Sequence, residues 1–217
     1  GNWRLTPPVL RCAPLTQTGR KSRCGPKWRN GYLKQMEQRD FLLRAIDALE
    51  QASIPYAVTG SWASTTYGMP RTTHDLDVIV SITVERVTAL AAAFPPPFYA
   101  DAGWMREAAA AGELFNIIDP TLGLKIDFWP LKDDDYSREQ FARRRQAAIF
   151  GRPVWMLAPE DVILAKLLWH KMSPSETQLR DIAGVWKAQQ ASLDRGYLRL
   201  WAARLSVDDL LSKVTSS

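Results

Sequence analysis

Two aspartates that lie two residues apart in an apolar run are the side chains of this sequence best suited to chemistry. Asp75 and Asp77 open a segment that continues Val-Ile-Val, with only Leu76 between them. In a β-strand, residues i and i+2 point to the same face, about 6–7 Å apart along the chain. Two carboxylates on one face repel each other and lose hydration when partly buried, and a divalent cation removes both penalties. This spacing predicts a pair of cation ligands on a strand.

A glycine–serine pair stands upstream of the aspartates, directly after the apolar run 56–58. Gly60 can adopt backbone conformations that let the chain approach a phosphate closely. Ser61 stands at the N-cap position of a short helix predicted over residues 62–67, and a helix N-terminus presents free N–H groups to an anion. The stretch 60–80 therefore combines a turn suited to phosphates with carboxylates suited to the metal that phosphates carry.

In this order and between two predicted strands, the two features resemble the signature of the nucleotidyltransferases of the DNA polymerase beta superfamily. That signature is a Gly-Ser or Gly-Gly turn followed, on the next strand, by Asp-hydrophobic-Asp-hydrophobic. Here it reads GS at 60–61 and DLDV at 75–78. The segment GMPRTT at 68–73 is similar to the G-x-P-R-x-T run of small bacterial members, including toxins of toxin–antitoxin and abortive-infection systems.

The resemblance implies an enzyme that moves a nucleoside monophosphate from an NTP onto an acceptor with the help of two Mg²⁺ ions. Asp75 and Asp77 would be catalytic metal ligands. The family takes a third carboxylate from a later strand, and Asp127, inside the apolar run 124–129, is the matching residue. Asp127 would bind the ion that activates the acceptor hydroxyl, and it could receive the hydroxyl's proton.

Four further residues are candidates for holding the NTP. The resemblance implies that Gly60 and Ser61 bind the β- and γ-phosphates through backbone N–H groups and the serine hydroxyl. Arg71 and Lys166 are cations that could reach a phosphate. Each assignment except that of Gly60 has a structural alternative: Ser61 as a helix cap only, Arg71 as a lock on its own loop, and Lys166 as a structural lysine.

The three aspartates have structural alternatives as well. Asp75 and Asp77 could be surface acids at the end of a strand. Asp127 could form an ion pair with Lys125 or Arg71. An acid inside an otherwise apolar strand needs a partner in either case, because burying an unpaired charge is costly.

The net charge of +5 belongs to one end of the chain. Residues 1–35 hold eight of the 28 Lys and Arg residues and no acid, which leaves 20 basic against 23 acidic residues, a net of −3. A basic tail could bind nucleic acid. This segment lacks periodicity, however, so we expect a poorly ordered tail without a function and a natural start close to Met36.

Cys12 and Cys24 are expected to be reduced thiols of a cytoplasmic protein. No membrane partner is expected, because no apolar run approaches the length of a span, about 20 residues.

The predicted fold is α/β (α+β): a small mixed sheet flanked by helices, with a helical C-terminal segment. After the tail at 1–35, the pattern divides the chain into a catalytic domain at 36–157 and the helical segment at 158–217.

Helix starts are predicted at the capping boxes of Ser137 and Ser173. The arginine run 143–145 is expected to be a solvated face, with a phosphate contact as the alternative. An amphipathic helix is predicted at 37–52, strands at 55–59, 73–81, 114–118 and 122–129, and an edge strand or hairpin at 147–156.

The first hypothesis is therefore an Mg²⁺-dependent nucleotidyltransferase whose acceptor is RNA, a protein or a small hydroxyl compound. The resemblance favours RNA or a protein, whereas the acidic remainder of the chain opposes tight RNA binding without the tail. The second hypothesis is a nucleotide-binding regulatory or interaction protein without turnover, which the presence of all three aspartates disfavours. The nine tryptophans are assigned to packing, with stacking of Trp62 or Trp129 on a base as the alternative. The oligomeric state is left open.

Overall fold

The computed structural model of this 217-residue chain describes residues 26–215, which form a six-stranded mixed sheet and nine helices. The predicted fold class is confirmed. None of the described helices is long and apolar enough to cross a membrane. The strands are β1 (Tyr56–Thr59), β2 (Asp75–Val80), β3 (Phe115–Asp119), β4 (Leu124–Pro130), β5 (Arg145–Ile149) and β6 (Arg152–Met156). The helices are α1 (Pro26–Gln51), α2 (Gly60–Tyr67), α3 (Val84–Ala92), α4 (Ala102–Ala110), α5 (Asp135–Ala142), α6 (Pro159–Met172), α7 (Glu176–Gln189), α8 (Arg195–Arg204) and α9 (Asp208–Thr215).

Strand β2 presents apolar side chains to one face of the sheet and carboxylates to the other. Its strand order is β3-β4-β2-β1-β6-β5, with β2 parallel to β4, β1 parallel to β6 and the other neighbours antiparallel. Successive side chains of a strand point to opposite faces. Leu76, Val78 and Val80 are therefore buried in the core, while Asp75 and Asp77 lie on the other face.

Helix α1 is longer than predicted. It begins at Pro26, so residues 26–35, the last ten of the predicted tail, are helical. Residues 1–25, with Cys12 and Cys24, lie outside the described residues. The apolar face predicted for this helix is confirmed, because its members are buried in the core: Phe41, Leu42, Ala45, Ile46 and Leu49.

Two helices have a different N-cap from the predicted one. The carboxylate of Asp134, not Ser137, caps α5 and accepts the Ser137 N–H at 2.8 Å. Helix α7 begins at Glu176 with Ser175 as its N-cap, two residues after the predicted Ser173. Aspartate caps a helix as well as serine does. In the run Asp-Asp-Asp-Tyr-Ser several residues could fill the role, so the sequence pattern alone selects the wrong one.

Helices α6 and α7 pack against α2 and bring the C-terminal half of the chain to the glycine–serine pair. One close approach is at Gly68, the C-cap of α2. A Cβ atom at Gly68 would lie 2.7 Å from the backbone nitrogen of Val185 in α7. A larger residue at this position would push the two helices apart, so the glycine of the GMPRTT segment serves helix packing.

The arginine run 143–145 is not simply a solvated face. The Arg143 guanidinium lies 3.4 Å from the carboxylate of Glu160 and 3.5 Å from that of Asp161, and it stacks on the ring of Tyr197 at 3.7 Å. Tyr197 donates its hydroxyl to Asp161 Oδ1 at 2.6 Å. The cluster ties the end of α5 to α6 and α8 and buries Asp161 completely.

Asp161 should make the free energy of unfolding fall as the pH rises. Burial raises the pKa of Asp161 from 3.8 to about 6, against the opposing effects of the Tyr197 hydrogen bond and the charge of Arg143. The folded state therefore keeps this proton to a higher pH than the unfolded state. The stability associated with the protonated carboxyl is present below about pH 4 and is lost between about pH 4 and 6, a change of about 3 kcal/mol.

We expect Asp161→Asn to remove this part of the pH dependence. Urea unfolding of both proteins between about pH 4 and 6 should show the variant gaining stability relative to the wild type as the pH rises. A difference that is constant across this range would show that Asp161 does not hold a proton in the folded state.

Candidate active site

Asp77 and Asp127 lie side by side at the centre of the sheet. Asp77 of β2 is the register partner of Asp127 in the parallel strand β4, and Thr59 of β1 and Asn116 of β3 pair with them on either side. Register partners point to the same face of a sheet. Asp127 is therefore on the same face as Asp77, as the resemblance implies.

The environment of Asp77 disfavours its charged form. Burial raises the pKa of Asp77, the hydrogen bond from the Trp129 indole lowers it, and the neighbouring charges of Asp127 and Asp75 raise it again. The indole Nε1–H donates to Asp77 Oδ1 at 3.4 Å. Paired carboxylates with this environment gain most from a nearby cation. Trp129 contacts the site through this N–H, a role that sequence analysis did not assign to it.

Asp127 has one paired and one unpaired oxygen. Its Oδ2 lies 2.7 Å from Lys125 Nζ, which is one of the two ion pairs considered as a structural alternative. Its Oδ1 is buried and has no hydrogen-bond partner within residues 26–215. A buried, unpaired carboxylate oxygen is costly, and a cation or a donated proton would relieve that cost.

Gly60 lies directly against the carboxylate of Asp77. Gly60 has φ +60°, and a Cβ atom built there would lie 2.1 Å from Asp77 Oδ2. No side chain fits between the bend and the aspartate. Helix α2 starts at Gly60 itself, with Thr59 as its N-cap, so Ser61 lies in the first turn rather than at the predicted cap position. The first N–H groups of that turn have no partner within the helix.

A charged network lies beside this bend and is centred on Asp181 of α7. Arg71 Nε lies 3.1 Å from Asp181 Oδ1, and Lys166 Nζ lies 2.7 Å from Asp181 Oδ2. Arg71 also donates to the Ser61 hydroxyl, and Lys166 donates to Gln178 Oε1 at 2.9 Å. The two predicted phosphate-binding cations therefore share one buried carboxylate at the edge of the site.

Sequence analysis missed the role of Asp181. Its signal was present, because Asp181 stands within the apolar stripe of α7 beside Ile182 and Val185, all of which are buried. Burial by itself would raise the pKa of Asp181, but the hydrogen bonds from Arg71 and Lys166 outweigh it and hold the pKa below its usual value. Burial lowers the pKa of Lys166, and Asp181 opposes that effect.

Removing the charge of Asp181 should destabilise the protein strongly. Asp181→Asn leaves the ammonium of Lys166, only 3% exposed, without its carboxylate, and breaking one side of a buried ion pair costs about 3–5 kcal/mol. Because the pKa of Asp181 is lowered, its contribution is complete above about pH 4 and is lost as the pH falls further. Urea unfolding at neutral pH measures the loss.

A double variant provides the control for this prediction. Asp181→Asn combined with Lys166→Met removes both charges of the buried pair, and it should recover part of the lost stability. If the double variant is as unstable as the sum of the two single variants, the two groups do not interact in the folded state.

Two adjoining cavities open at this end of the sheet. The smaller, of about 100 Å³, is lined by Gly60, Ser61, Asp77 and Lys166 among others, and we call it the phosphate pocket. The larger, of about 660 Å³, extends from Trp129 along the end of β4, and we call it the wide groove. The two share Thr59, Ala165 and Trp169 in their walls.

The structure brings six of the seven predicted site residues close together and leaves Asp75 at the edge. Gly60, Ser61, Asp77 and Lys166 line one cavity, with Asp127 next to Asp77 and Arg71 bonded to Ser61. Asp75 is exposed at the start of β2. Within residues 26–215, no three acidic, histidine or cysteine side chains form a ready-made metal-binding group, and Asp77 and Asp127 are the two predicted ligands that lie in register.

Comparison with solved structures supports the assignment of the fold. No family model and no curated protein matches the chain. A crystal structure of ANT(2'')-Ia in complex with adenylyl-2''-tobramycin is similar, with a TM-score of 0.54 and 16% identity over 78% of this chain and 97% of that one. The solution structure of the antibiotic-resistance factor ANT(2'')-Ia gives a TM-score of 0.51 and 18% identity over 82% and 96%.

The fold is nucleotidyltransferase-like. A crystal structure of an antigenic nucleotidyltransferase-like protein from Paracoccidioides brasiliensis is more distant, with a TM-score of 0.49 and 17% identity over 81% of this chain and 91% of that one. The two ANT(2'')-Ia structures confirm the nucleotidyltransferase-like fold that the sequence resemblance implies.

Proposed function

We propose that this protein is an Mg²⁺-dependent nucleotidyltransferase that moves a nucleoside monophosphate from an NTP, such as ATP, onto an acceptor hydroxyl. The observation that carries the proposal is the contact of Gly60 with Asp77, with Asp127 in register beside Asp77. It places a bend suited to phosphates against a pair of carboxylates. In-line phosphoryl chemistry requires this combination of positioning and charge neutralisation.

Asp77 and Asp127 would hold the magnesium. They fit a cation because Asp127 has a buried oxygen without a partner in the described part of the chain and because the pKa of Asp77 is raised. Mg²⁺ takes one or two carboxylates together with phosphate oxygens and water, so this pair is sufficient for one ion. Asp75 lies on the same face and would complete the predicted two-ion site by turning inward. When bound, Mg²⁺ would neutralise the phosphates and acidify the acceptor hydroxyl.

The residues around Gly60 would bind the leaving phosphates. The N-terminal N–H groups of α2 at Gly60 and Ser61 would donate to the β- and γ-phosphates. Arg71 has five N–H donors and Lys166 three, so both could donate to phosphate while still bonded to Asp181. These donors would stabilise the negative charge that grows on pyrophosphate as it leaves.

The proposed reaction is a single displacement. The acceptor hydroxyl oxygen forms a bond to the α-phosphorus while the bond from that phosphorus to the bridging β-phosphate oxygen breaks, which releases pyrophosphate. The hydroxyl proton passes to the carboxylate of Asp127. A general base must lie within hydrogen-bond reach of the proton that it removes. Asp127 would meet that condition for a hydroxyl bound beside β4.

Labelled transfer tests the proposal. Purified protein incubated with each α-labelled NTP, Mg²⁺ and a cell extract should label an acceptor, and both EDTA and Asp127→Asn should reduce labelling by about 10²-fold or more. The exposed Asp209 of α9 provides the control variant Asp209→Asn, which should keep wild-type labelling. NTP binding with no labelled product under any condition would contradict the enzyme.

One observation favours a second candidate, a nucleotide-binding protein without turnover. The Lys125 ammonium occupies Asp127 Oδ2 at 2.7 Å, and hydrogen bonding to Asp127 raises the pKa of Lys125. An internal cation at this carboxylate competes with a metal ion. Under this candidate, Lys125→Met would restore labelled transfer to an otherwise inactive protein. Under the first candidate, the wild type is already active.

The toxin–antitoxin resemblance remains a proposal about cellular role. If the protein acts as a toxin, its expression in growing bacteria should arrest growth, and Asp127→Asn should abolish the arrest. Growth arrest of equal strength by both proteins would show that nucleotidyl transfer is not its cause.

A further inference from the structure

The wide groove opens close to the pair of aspartates, at the end of β4. Its wall contains Trp129, which stands two residues after Asp127 on the same strand and the same face, and it continues through Pro130 to Lys132 at the end of β4. The phosphate pocket, at Gly60, Ser61 and Asp77, adjoins the groove and shares Thr59, Ala165 and Trp169 with it. A molecule in the groove would therefore lie beside the phosphate pocket, at the end of β4 that follows Asp127.

The wall of the groove is mainly apolar and partly open to water. Leu131 and Leu168 line it together with Trp169 and Met172, two residues of α6 about one helical turn apart. Trp169 is 45% exposed and Met172 is 77% exposed. Trp129 and Trp169 meet edge to face, with ring centroids 5.4 Å apart, where the groove joins the phosphate pocket. Exposed apolar side chains grouped beside a site indicate an apolar ligand.

Few charges of the described residues face this groove. Within residues 26–215, its charged lining residues are Glu113, Lys132 and Asp134. Asp134 is already used as a cap, because it accepts the Ser137 N–H at 2.8 Å and the Ser137 hydroxyl at 2.7 Å. One lysine cannot supply the series of phosphate contacts that holds RNA, and one free glutamate cannot neutralise a polycation.

The polar groups of the groove suit a hydroxyl-bearing ligand. Gln140 lines it and can both donate and accept hydrogen bonds, whereas the hydroxyl of Tyr136, which also lines it, is buried. Gln140 and Ser137 lie on the same wall. A volume of about 660 Å³ falls within the range of drug-sized ligand sites, about 300–1,000 Å³.

We infer that the wide groove binds the acceptor, and that this acceptor is a small molecule of low net charge that combines an apolar face with a hydroxyl group. The role of this ligand as the acceptor rests on the proposed function. The binding of such a molecule does not depend on turnover, so it can be tested separately.

A matched pair of glucosides tests the ligand class. Both n-octyl-β-D-glucoside and methyl-β-D-glucoside are neutral and carry the same sugar hydroxyls, and they differ in one apolar chain. Titration calorimetry below the micellar concentration should show the octyl compound binding at least tenfold more tightly, because its methylene groups leave water. Equal affinity for the two would overturn the inference.

Three variants locate the binding. Leu168→Arg and Met172→Arg place a charge on the groove wall, and both should reduce octyl glucoside affinity at least tenfold. Met172 is exposed, so its replacement should leave folding intact even if Leu168→Arg does not fold. Leu200 of α8 is 49% exposed and lies outside the groove wall, so Leu200→Arg should bind as the wild type does. Equal weakening by Met172→Arg and Leu200→Arg would overturn the assignment to the groove.

Two further measurements separate this inference from the proposed function. Saturating ATP should not displace octyl glucoside, and complete displacement would make the groove the nucleoside's site. With α-labelled NTP, octyl glucoside should be labelled at least tenfold faster than methyl glucoside, tobramycin or a short RNA. Faster labelling of RNA or tobramycin would overturn the acceptor class while leaving the enzyme intact, whereas NTP hydrolysis or transfer to no acceptor at all would reject the enzyme.

Discussion

Asp77→Asn should abolish nucleotidyl transfer, by about 10³-fold or more, without weakening the fold. An asparagine keeps the shape of the side chain but removes the charge that the proposed metal site requires. The same charge destabilises the folded state, because burial and the neighbouring aspartates raise the pKa of Asp77. Activity and stability should therefore move in opposite directions, which a general disruption of the structure would not produce.

The sign of the stability change follows from the raised pKa. The folded state keeps the Asp77 proton to a higher pH than the unfolded state, so part of the wild-type stability is lost as the pH rises through the folded-state pKa. The asparagine variant does not lose this part of the stability, because its side chain does not ionise. We expect urea midpoints of Asp77→Asn to equal or exceed those of the wild type at neutral pH, and the difference to shrink as the pH falls below about 4.

Asp209→Asn is the matched control for this variant. Asp209 is exposed on α9, away from the sheet, and its replacement should change neither labelled transfer nor the pH dependence of unfolding. If Asp77→Asn retains more than about a tenth of the wild-type transfer rate, Asp77 is not a catalytic ligand, since loss of such a group costs far more. If it loses stability at neutral pH, the carboxylate has a stabilising partner in the folded protein.

Gly60→Ala adds a single methyl group and should strongly reduce both stability and nucleotidyl transfer. The residue has φ +60°, which costs an alanine about 1–2 kcal/mol. Its new Cβ would also lie 2.1 Å from Asp77 Oδ2 and 2.7 Å from Asp77 Cγ, and overpacking of this kind typically costs about 1–3 kcal/mol more. We expect a loss of about 2–5 kcal/mol of stability, and almost complete loss of transfer because the carboxylate is displaced.

Gly123→Ala separates the two causes. Gly123, between β3 and β4, has φ +64°, close to that of Gly60, but a Cβ atom there would have no neighbour within 4 Å. This control should therefore show the backbone strain alone and keep full activity. Urea unfolding and labelled transfer of both variants give the comparison. Equal losses of stability would show that the contact between Gly60 and Asp77 does not restrict the site.

Local patterns in the sequence were sufficient to predict the elements of the site. The alternation in β2 separates Leu76 from Asp75 and Asp77, and it follows from the strand period alone. The position of Asp127 within an apolar strand marked it as a residue that needs a partner. Helix starts were harder to predict because several neighbouring residues can serve as caps, as Asp134 and Ser137 do.

The glycine–serine bend and the shared face of Asp75 and Asp77 could be inferred from the sequence by itself, because each depends on residues close together in the chain, whereas Asp127 became a candidate through the family resemblance. Only the tertiary structure decided which of these residues meet. Lys125 rather than Arg71 pairs with Asp127, while Arg71 and Lys166 converge on Asp181, which is 110 residues from Arg71 along the chain. Partners that distant are chosen by how α7 packs on α2 and by the cost of burying a charge without a counter-charge, and no local spacing in the chain encodes that choice.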